Sequence, residues 1–273
     1  MARGRHEVQL DLRPISSLKP HEETIESSTR EMVAHLQKDG VQKDPIIVDA
    51  ATGVILDGMH RLEAFRNLGV GFAVCHLVDY GSASIRLGRW LRFYRPAAEG
   101  QANALLPELG MSRKSSTSDA LNKLEKKKAH AAVFIGTAAF TTSGDGDSQE
   151  SFELVRKADA FAQSRGWTRT FEREEELGRV ARESSGVALL VARFEKTDVT
   201  KAGVTGHLLP CKTSMHFVDP RPVAINTPID DLRRGSRESL DRILDQERFE
   251  MLPPDSVYEG RRYKERLLLL SRR

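Results

Sequence analysis

Cysteine is nearly missing: the 273 residues hold two, Cys75 and Cys211, far apart and in no Cys-x-x-Cys or His/Cys spacing. That excludes a disulfide framework, argues against a zinc site and predicts free thiols in a reducing cytosol. A strong charge of either sign is missing too, with 42 Lys and Arg against 39 Asp and Glu for a net of +3. So small a surplus argues against a protein that grips nucleic acid by neutralising phosphates, while leaving room for a local basic patch. Long apolar runs are absent; Leu267–Leu270 is far too short to span a bilayer, so no membrane partner is expected. The N-terminal MARGRHEVQL has charge but no apolar core of a secretory signal, which makes cytoplasmic the expectation. There is no internal repeat. The acidic stretch SGDGDSQE (143–150) lacks calcium-loop spacing and reads as a surface turn before a helix.

What is present is a globular balance, 39% hydrophobic and 30% charged, in a chain long enough for one large domain or two modest ones. Val8, Leu10 and Leu12 alternate with polar residues, as in a strand with one buried face. Ser28 and Glu31 have capping-box spacing ahead of Met32, Val33 and Leu36, and Asp39-Gly40 stops that helix. Pro45–Val48 and Val54–Leu56 flank a turn and predict a hairpin; Met59, Leu62, Phe65 and Leu68 mark one side of a helix; Phe72–Val78 reads as a strand. Residues 82–95 are expected to be helical, 152–162 and 171–181 helical, 187–191 a buried strand, 236–249 helical and 263–270 a strand. Lys123–Lys128 is most simply a solvated helical face.

One junction is over-furnished. Ile55-Leu56 runs straight into Asp57-Gly58-Met59-His60-Arg61 at the mouth of a helix. Asp57 can serve as an N-cap, with His60 and Arg61 as surface residues. The same geometry makes an anion site: unpaired amides at Gly58, Met59 and His60, reinforced by the helix dipole, with His60 and Arg61 adding charge-assisted hydrogen bonds. A carboxylate beside a phosphate is repelled unless it serves a metal or a proton, and phosphoryl transfer supplies both uses. Upstream, His21-Glu22-Glu23 alone reads as a solvated acidic loop.

Taken in order, LKPHEETIE (18–26), DGVQKDPIIVDAATGVILDGMHR (39–61) and the following helix resemble the ParB/sulfiredoxin superfamily, and more closely its free L-serine kinase branch. Sulfiredoxins place a reactive cysteine where this chain has Met59. ParB partition proteins carry an arginine-rich nucleotide motif and helix-turn-helix modules, neither of which is found here. The resemblance implies an α+β chain: a ParB/sulfiredoxin-like nucleotide-binding domain over 1–95, a linker or helical connection over 96–128, and a mixed α/β domain over 129–273 that completes the substrate cleft.

It also implies a reaction, transfer of a phosphoryl group from ATP or ADP with Mg²⁺ to free L-serine or a related small hydroxy amino acid. Glu22 is then the general base, with Glu23 adjacent at the substrate, and Asp57 the second catalytic carboxylate and metal contact. Gly58, Met59, His60 and Arg61 hold the nucleotide phosphates. Segments 202–210 and 221–234 resemble the second domain of these kinases, where Thr205 and His207 match a loop facing the phosphoryl position; Gly206 stands where arginine is common, and a plain turn reads equally well. Trp90 falls where the family has a tryptophan near the substrate. The other expectations are a kinase for a different hydroxylated metabolite, and a ParB-like, nucleotide-dependent DNA-binding or regulatory protein.

Overall fold

The computed structural model describes residues 8–98, 100–145, 148–183, 186–245 and 249–270. The chain is mixed α+β and divides into two compact units. The first comprises 1–87, 199–211 and 216–273, and the second 88–198 with 212–215.

In the first unit, strand β1 (Gln9–Pro14) is followed by helix α1 (Glu26–Asp39), the short β2 (Val41–Gln42), β3 (Ile46–Asp49), β4 (Ile55–Asp57), helix α2 (Met59–Asn67) and β5 (Phe72–Val78). Four of these strands form a sheet in the order β1-β5-β3-β4. β3 and β4 are the expected antiparallel hairpin, whereas β3 runs parallel to β5, from which β4 and α2 separate it in sequence. Ile46, Ile55, Leu62, Phe65 and Val74 pack into one buried core, so the apolar side of α2 fixes its axis against the sheet. The buried Gln42 amide donates to the Val74 carbonyl at 2.7 Å and accepts the Val74 amide at 2.9 Å, which lets a polar side chain stand in for a strand neighbour.

The second unit starts within β6 (Ile85–Arg95) and holds α3 (Leu105–Glu108), β7 (Arg113–Ser115), α4 (Thr117–Glu125), β8 (Ala131–Ile135), β9 (Ala138–Thr141), α5 (Ser148–Ser164), β10 (Thr168–Arg173), α6 (Leu177–Val180) and β11 (Val187–Val191). Its sheet runs β10-β6-β11-β8-β9-β7. After α7 (Lys196–Thr205) come β12 (Ser214–Val218), β13 (Arg221–Val223), β14 (Thr227–Pro228), α8 (Ile229–Arg234), α9 (Glu238–Leu244), β15 (Glu250–Leu252), the hairpin β16 (Val257–Tyr258) and β17 (Arg261–Arg262), and β18 (Leu267–Leu269). In the first unit β13 lies parallel to β18, and Ile225, Ile229, Leu232, Leu240 and Ile243 join the same core as α2.

Several local expectations need correction. Residues 85–95 form a strand: β10 pairs with it from Trp90 to Arg95 and β11 takes its other edge, so ladder hydrogen bonds override its arginine-rich composition. Thr168–Arg173 is the partnering strand, and only Leu177–Val180 of the predicted 171–181 helix is α-helical. Helix α1 begins at Glu26 with Ile25 at its N-cap position, so Ser28 lies inside the helix and is no cap. The stretch 96–128 carries α3, β7 and α4 within the second unit, and residues from 216 onward return to the first. Those bounds differ from a division at 95 and 129. Of the turn at 143–150, residues 146 and 147 lie outside the described residues.

Candidate active site

All the chemistry-bearing residues of the two N-terminal motifs belong to the first unit. The strand β4 ends at Asp57, and Gly58 takes φ +112°, a left-handed conformation that side-chain-bearing residues rarely adopt. A Cβ there would also sit 3.2 Å from Ile46 and 3.3 Å from the Arg61 guanidinium, so glycine is needed both for the turn and for the close approach. The first helical bond runs from the Leu62 amide to the Gly58 carbonyl at 2.9 Å. The amides of Met59, His60 and Arg61 therefore have no acceptor within the helix.

Asp57 is not the cap expected of it; no side-chain cap bond closes α2. Its Oδ2 instead accepts from Arg221 Nη1 at 2.5 Å, a partner 164 residues away. Arg221 is buried and fully engaged: Nε donates to Glu265 at 2.6 Å and Nη2 to the His216 carbonyl at 2.9 Å. Burial would raise the Asp57 pKa, but Arg221, Arg261 and Arg61 outweigh it and hold the carboxyl well below the usual carboxylate range. The same carboxylates push Arg221 further up against the effect of its burial. Asp57 is thus a fixed anion, yet its side chain is 42% exposed.

The His21–Glu23 loop is not a solvated acidic loop. The His21 carbonyl accepts the Leu209 amide at 2.8 Å, and the Glu23 amide donates to the Leu209 carbonyl at 2.9 Å, so Glu22 is pinned by a parallel bridge. His21 is fully buried and its Nδ1–H donates to the Ile55 carbonyl at 2.5 Å. That leaves Nε2 facing Glu22 Oε1 at 3.6 Å. Glu22 is only 4% exposed, whereas Glu23 is exposed.

His60 does something the motif did not announce. Its Nε2 accepts the Ile25 amide at 3.0 Å, tying the start of α2 to the start of α1 just after the Glu22 loop. Acceptance at Nε2 places the proton of a neutral ring on Nδ1. Arg61 Nη1 donates to the Pro45 carbonyl at 2.8 Å. Met59 packs part-buried against the core.

Four further residues escaped the sequence reading: Tyr80, His216, Arg221 and Glu265. The Tyr80 hydroxyl and His216 Nε2 are hydrogen-bonded at 2.8 Å, and the His216 ring meets His21 edge-on at 5.4 Å. Burial first, and His21 second, push His216 down to about 3, against the opposing pull of Glu22 and Asp57. His216 is therefore neutral at ordinary pH and lies within electrostatic reach of both carboxylates. Only the run 221–234, already singled out, pointed at one of the four, Arg221.

The weaker candidates are placed as follows. Thr205 and His207 are exposed in the first unit; the Thr205 hydroxyl donates to the Lys201 carbonyl at 2.8 Å and lies 3.2 Å from His207 Nδ1. Gly206 between them has φ +75° and open space around a would-be Cβ. Trp90 belongs to the second unit, half-buried on β6, with the Lys212 ammonium 5.0 Å from its ring centroid. Among the described residues no group of three or more His, Cys, Asp or Glu is arranged to hold a metal ion.

No known family profile matches the chain. An ATP-dependent L-serine kinase of Staphylothermus marinus is 25% identical over 232 residues, covering 80% of this chain and 89% of the relative. The chain is a homologue of the free L-serine kinases. An ADP-dependent L-serine kinase of Thermococcus kodakarensis is 23% identical over 135 residues, 48% of this chain and 51% of its own. A ParB-like protein of Sulfolobus acidocaldarius is 38% identical over 88 residues, 32% of this chain and 44% of its own. A free serine kinase solved with AMP shares the serine-kinase fold at a TM-score of 0.67 and 17% identity, covering 84% of this chain and 97% of that one. No helix among the described residues is long and apolar enough to cross a membrane.

Proposed function

We propose that this serine kinase homologue transfers a phosphoryl group from ATP or ADP to the hydroxyl of free L-serine, giving O-phospho-L-serine and ADP or AMP. One observation carries the reading. Glu22 is buried and pinned against Leu209, and the Ile25 amide bond to His60 Nε2 ties its loop to the helix that opens directly after the Arg221-held Asp57, all within a single unit. Glu22 accepts the serine hydroxyl proton as the oxygen attacks the terminal phosphorus. Its pinned backbone fixes the direction of approach, which is where most of the rate in phosphoryl transfer originates. Asp57 orients the reacting groups, and the α2 amides with Arg61 receive phosphate oxygens. His60 contributes less as a phosphate ligand than as the brace that holds the Glu22 loop against α2.

Mg²⁺ fits this site in one manner. With no three-residue cage among the described residues, it would be held by Asp57 through the oxygen not committed to Arg221, together with nucleotide phosphates and water, the usual economy of Mg²⁺ sites. Bound there it supplies charge neutralisation to the phosphates. Three nearby arginines disfavour a lone cation, so metal and nucleotide are expected to arrive together.

The test is incubation of the full chain with Mg²⁺, ATP or ADP, and a panel of hydroxy amino acids, read by ³¹P NMR. Phosphoserine formation from either nucleotide supports the reading; no phosphorylation of any acceptor rejects it. The 88-residue likeness to a ParB-like protein favours a second reading, nucleotide-dependent DNA binding or regulation. It requires DNA affinity that falls steeply with salt, and a low-salt titration without binding rejects it.

A further inference from the structure

Arg261 is a third arginine whose charge acts on Asp57. It lies on the β16–β17 hairpin, paired across from Tyr258, and its guanidinium carbon stands 4.7 Å over the centroid of the Tyr263 ring. That ring is 7% exposed and packs with Val223 and Leu267, and Leu267 is the register partner of Arg221. Tyr263 is held in turn by its amide, which donates to the Ser256 carbonyl at 2.9 Å. Two residues later Glu265 grips Arg221, so the segment bearing Arg261 is anchored on the strand that holds Asp57 in place. Among the described residues Arg261 has no hydrogen-bond or ion-pair partner, and its cation lies against the ring face. Arg221 is consumed by Glu265 and Asp57, and Asp44, the other carboxylate acting on Tyr263, accepts the Ala224 amide. Contacts thus run from Arg261 through Tyr263 and Leu267 to Arg221 and on to Asp57, and Arg261 is among the arginines that hold the Asp57 carboxyl down.

We infer that Arg261, pre-oriented on the face of Tyr263, is a phosphate-recognition residue for the nucleotide at the Asp57 site. The inference rests on the kinase reading and adds a ligand to it: an anion that the Asp57 carboxylate repels needs an uncommitted fork donor, and Arg261 is one.

Calorimetric titration of ATP and ADP into the full chain, as wild type, Arg261→Gln and Arg261→Lys, tests it. Arg261→Gln should weaken the preferred nucleotide roughly tenfold, the scale of one hydrogen bond to a charged group. Arg261→Lys should recover part of the loss, and the melting temperature should not move because Arg261 is exposed. Raising salt from about 0.05 M to about 0.3 M should narrow the gap between wild type and Arg261→Gln. Unchanged affinity in Arg261→Gln, or a loss that salt does not narrow, overturns the inference and leaves the kinase reading intact. A wild-type protein that binds neither nucleotide overturns both.

Discussion

Two buried arginines, one in each unit, show how differently this chain uses the same side chain. In the second unit Arg89 donates to Glu174 through Nε and Nη2 at 3.1 and 2.7 Å, to Glu125 at 2.7 Å and to the Val191 carbonyl. Arg193 joins the same two carboxylates, so two cations face two anions and the network closes on itself. In the first unit Arg221, Arg261 and Arg61 all act on Asp57, and Arg221 is shared with the buried Glu265, so three cations bear on one half-exposed carboxylate. A closed network cements a sheet; a surplus at the mouth of a helix invites an anion.

Breaking the chemistry should have the largest effect. Glu22→Gln keeps the shape of a side chain that is 4% exposed but removes the proton acceptor, and should lower kcat on the order of 10²-fold or more. Equal kcat for Glu22→Gln and wild type would remove Glu22 from the base role.

Arg89→Leu should instead lower stability by about 3 kcal/mol, at the low end for a broken buried pair because Glu125 and Glu174 retain some access to water. Urea unfolding measures this, and kcat per folded molecule should stay near wild type. A collapse of kcat without loss of stability would erase the contrast between the two arginines.

The pH dependence of stability tests the buried histidines of the first unit. Burial pushes His216 to about 3 and His76 to about 4, the latter despite its Nδ1–H bond to the Gln9 carbonyl. Both folded values lie below the ordinary histidine value near 6.5, so the unfolded chain binds more protons in between. Stability is therefore complete above about pH 6.5 and erodes as pH falls toward 4 and then 3. Melting curves over this window should show the decline, and His76→Gln should flatten part of it.

Much of the first unit was legible because its signals are local. The β3–β4 hairpin, α2 and β5 follow from short apolar runs and a 3.6-residue period that the core then uses directly. β6 was not legible: it is flanked on both edges, and Arg89 and Arg92 lie buried in it against carboxylates from distant segments, so its pattern imitates an exposed helix. The site divides along the same line. Glu22, Asp57, His60 and Arg61 were readable as motifs, but the partner that takes Asp57 out of capping comes from residue 221, and no spacing rule reaches that far. His60 shows the reverse case, a motif residue whose bond to the Ile25 amide gives it a bracing part. Tyr80 and His216 are single residues in unremarkable strand or turn sequence, and only the fold brings them to Glu22.

The most direct measurement sets Asp57→Asn beside Arg89→Leu and follows phosphoserine formation by both at a temperature where melting curves show them folded. If the half-exposed carboxylate serves phosphoryl transfer and the Arg89 network serves only the fold, Asp57→Asn loses well over tenfold in turnover while Arg89→Leu keeps it. Wild-type turnover in Asp57→Asn would contradict that assignment.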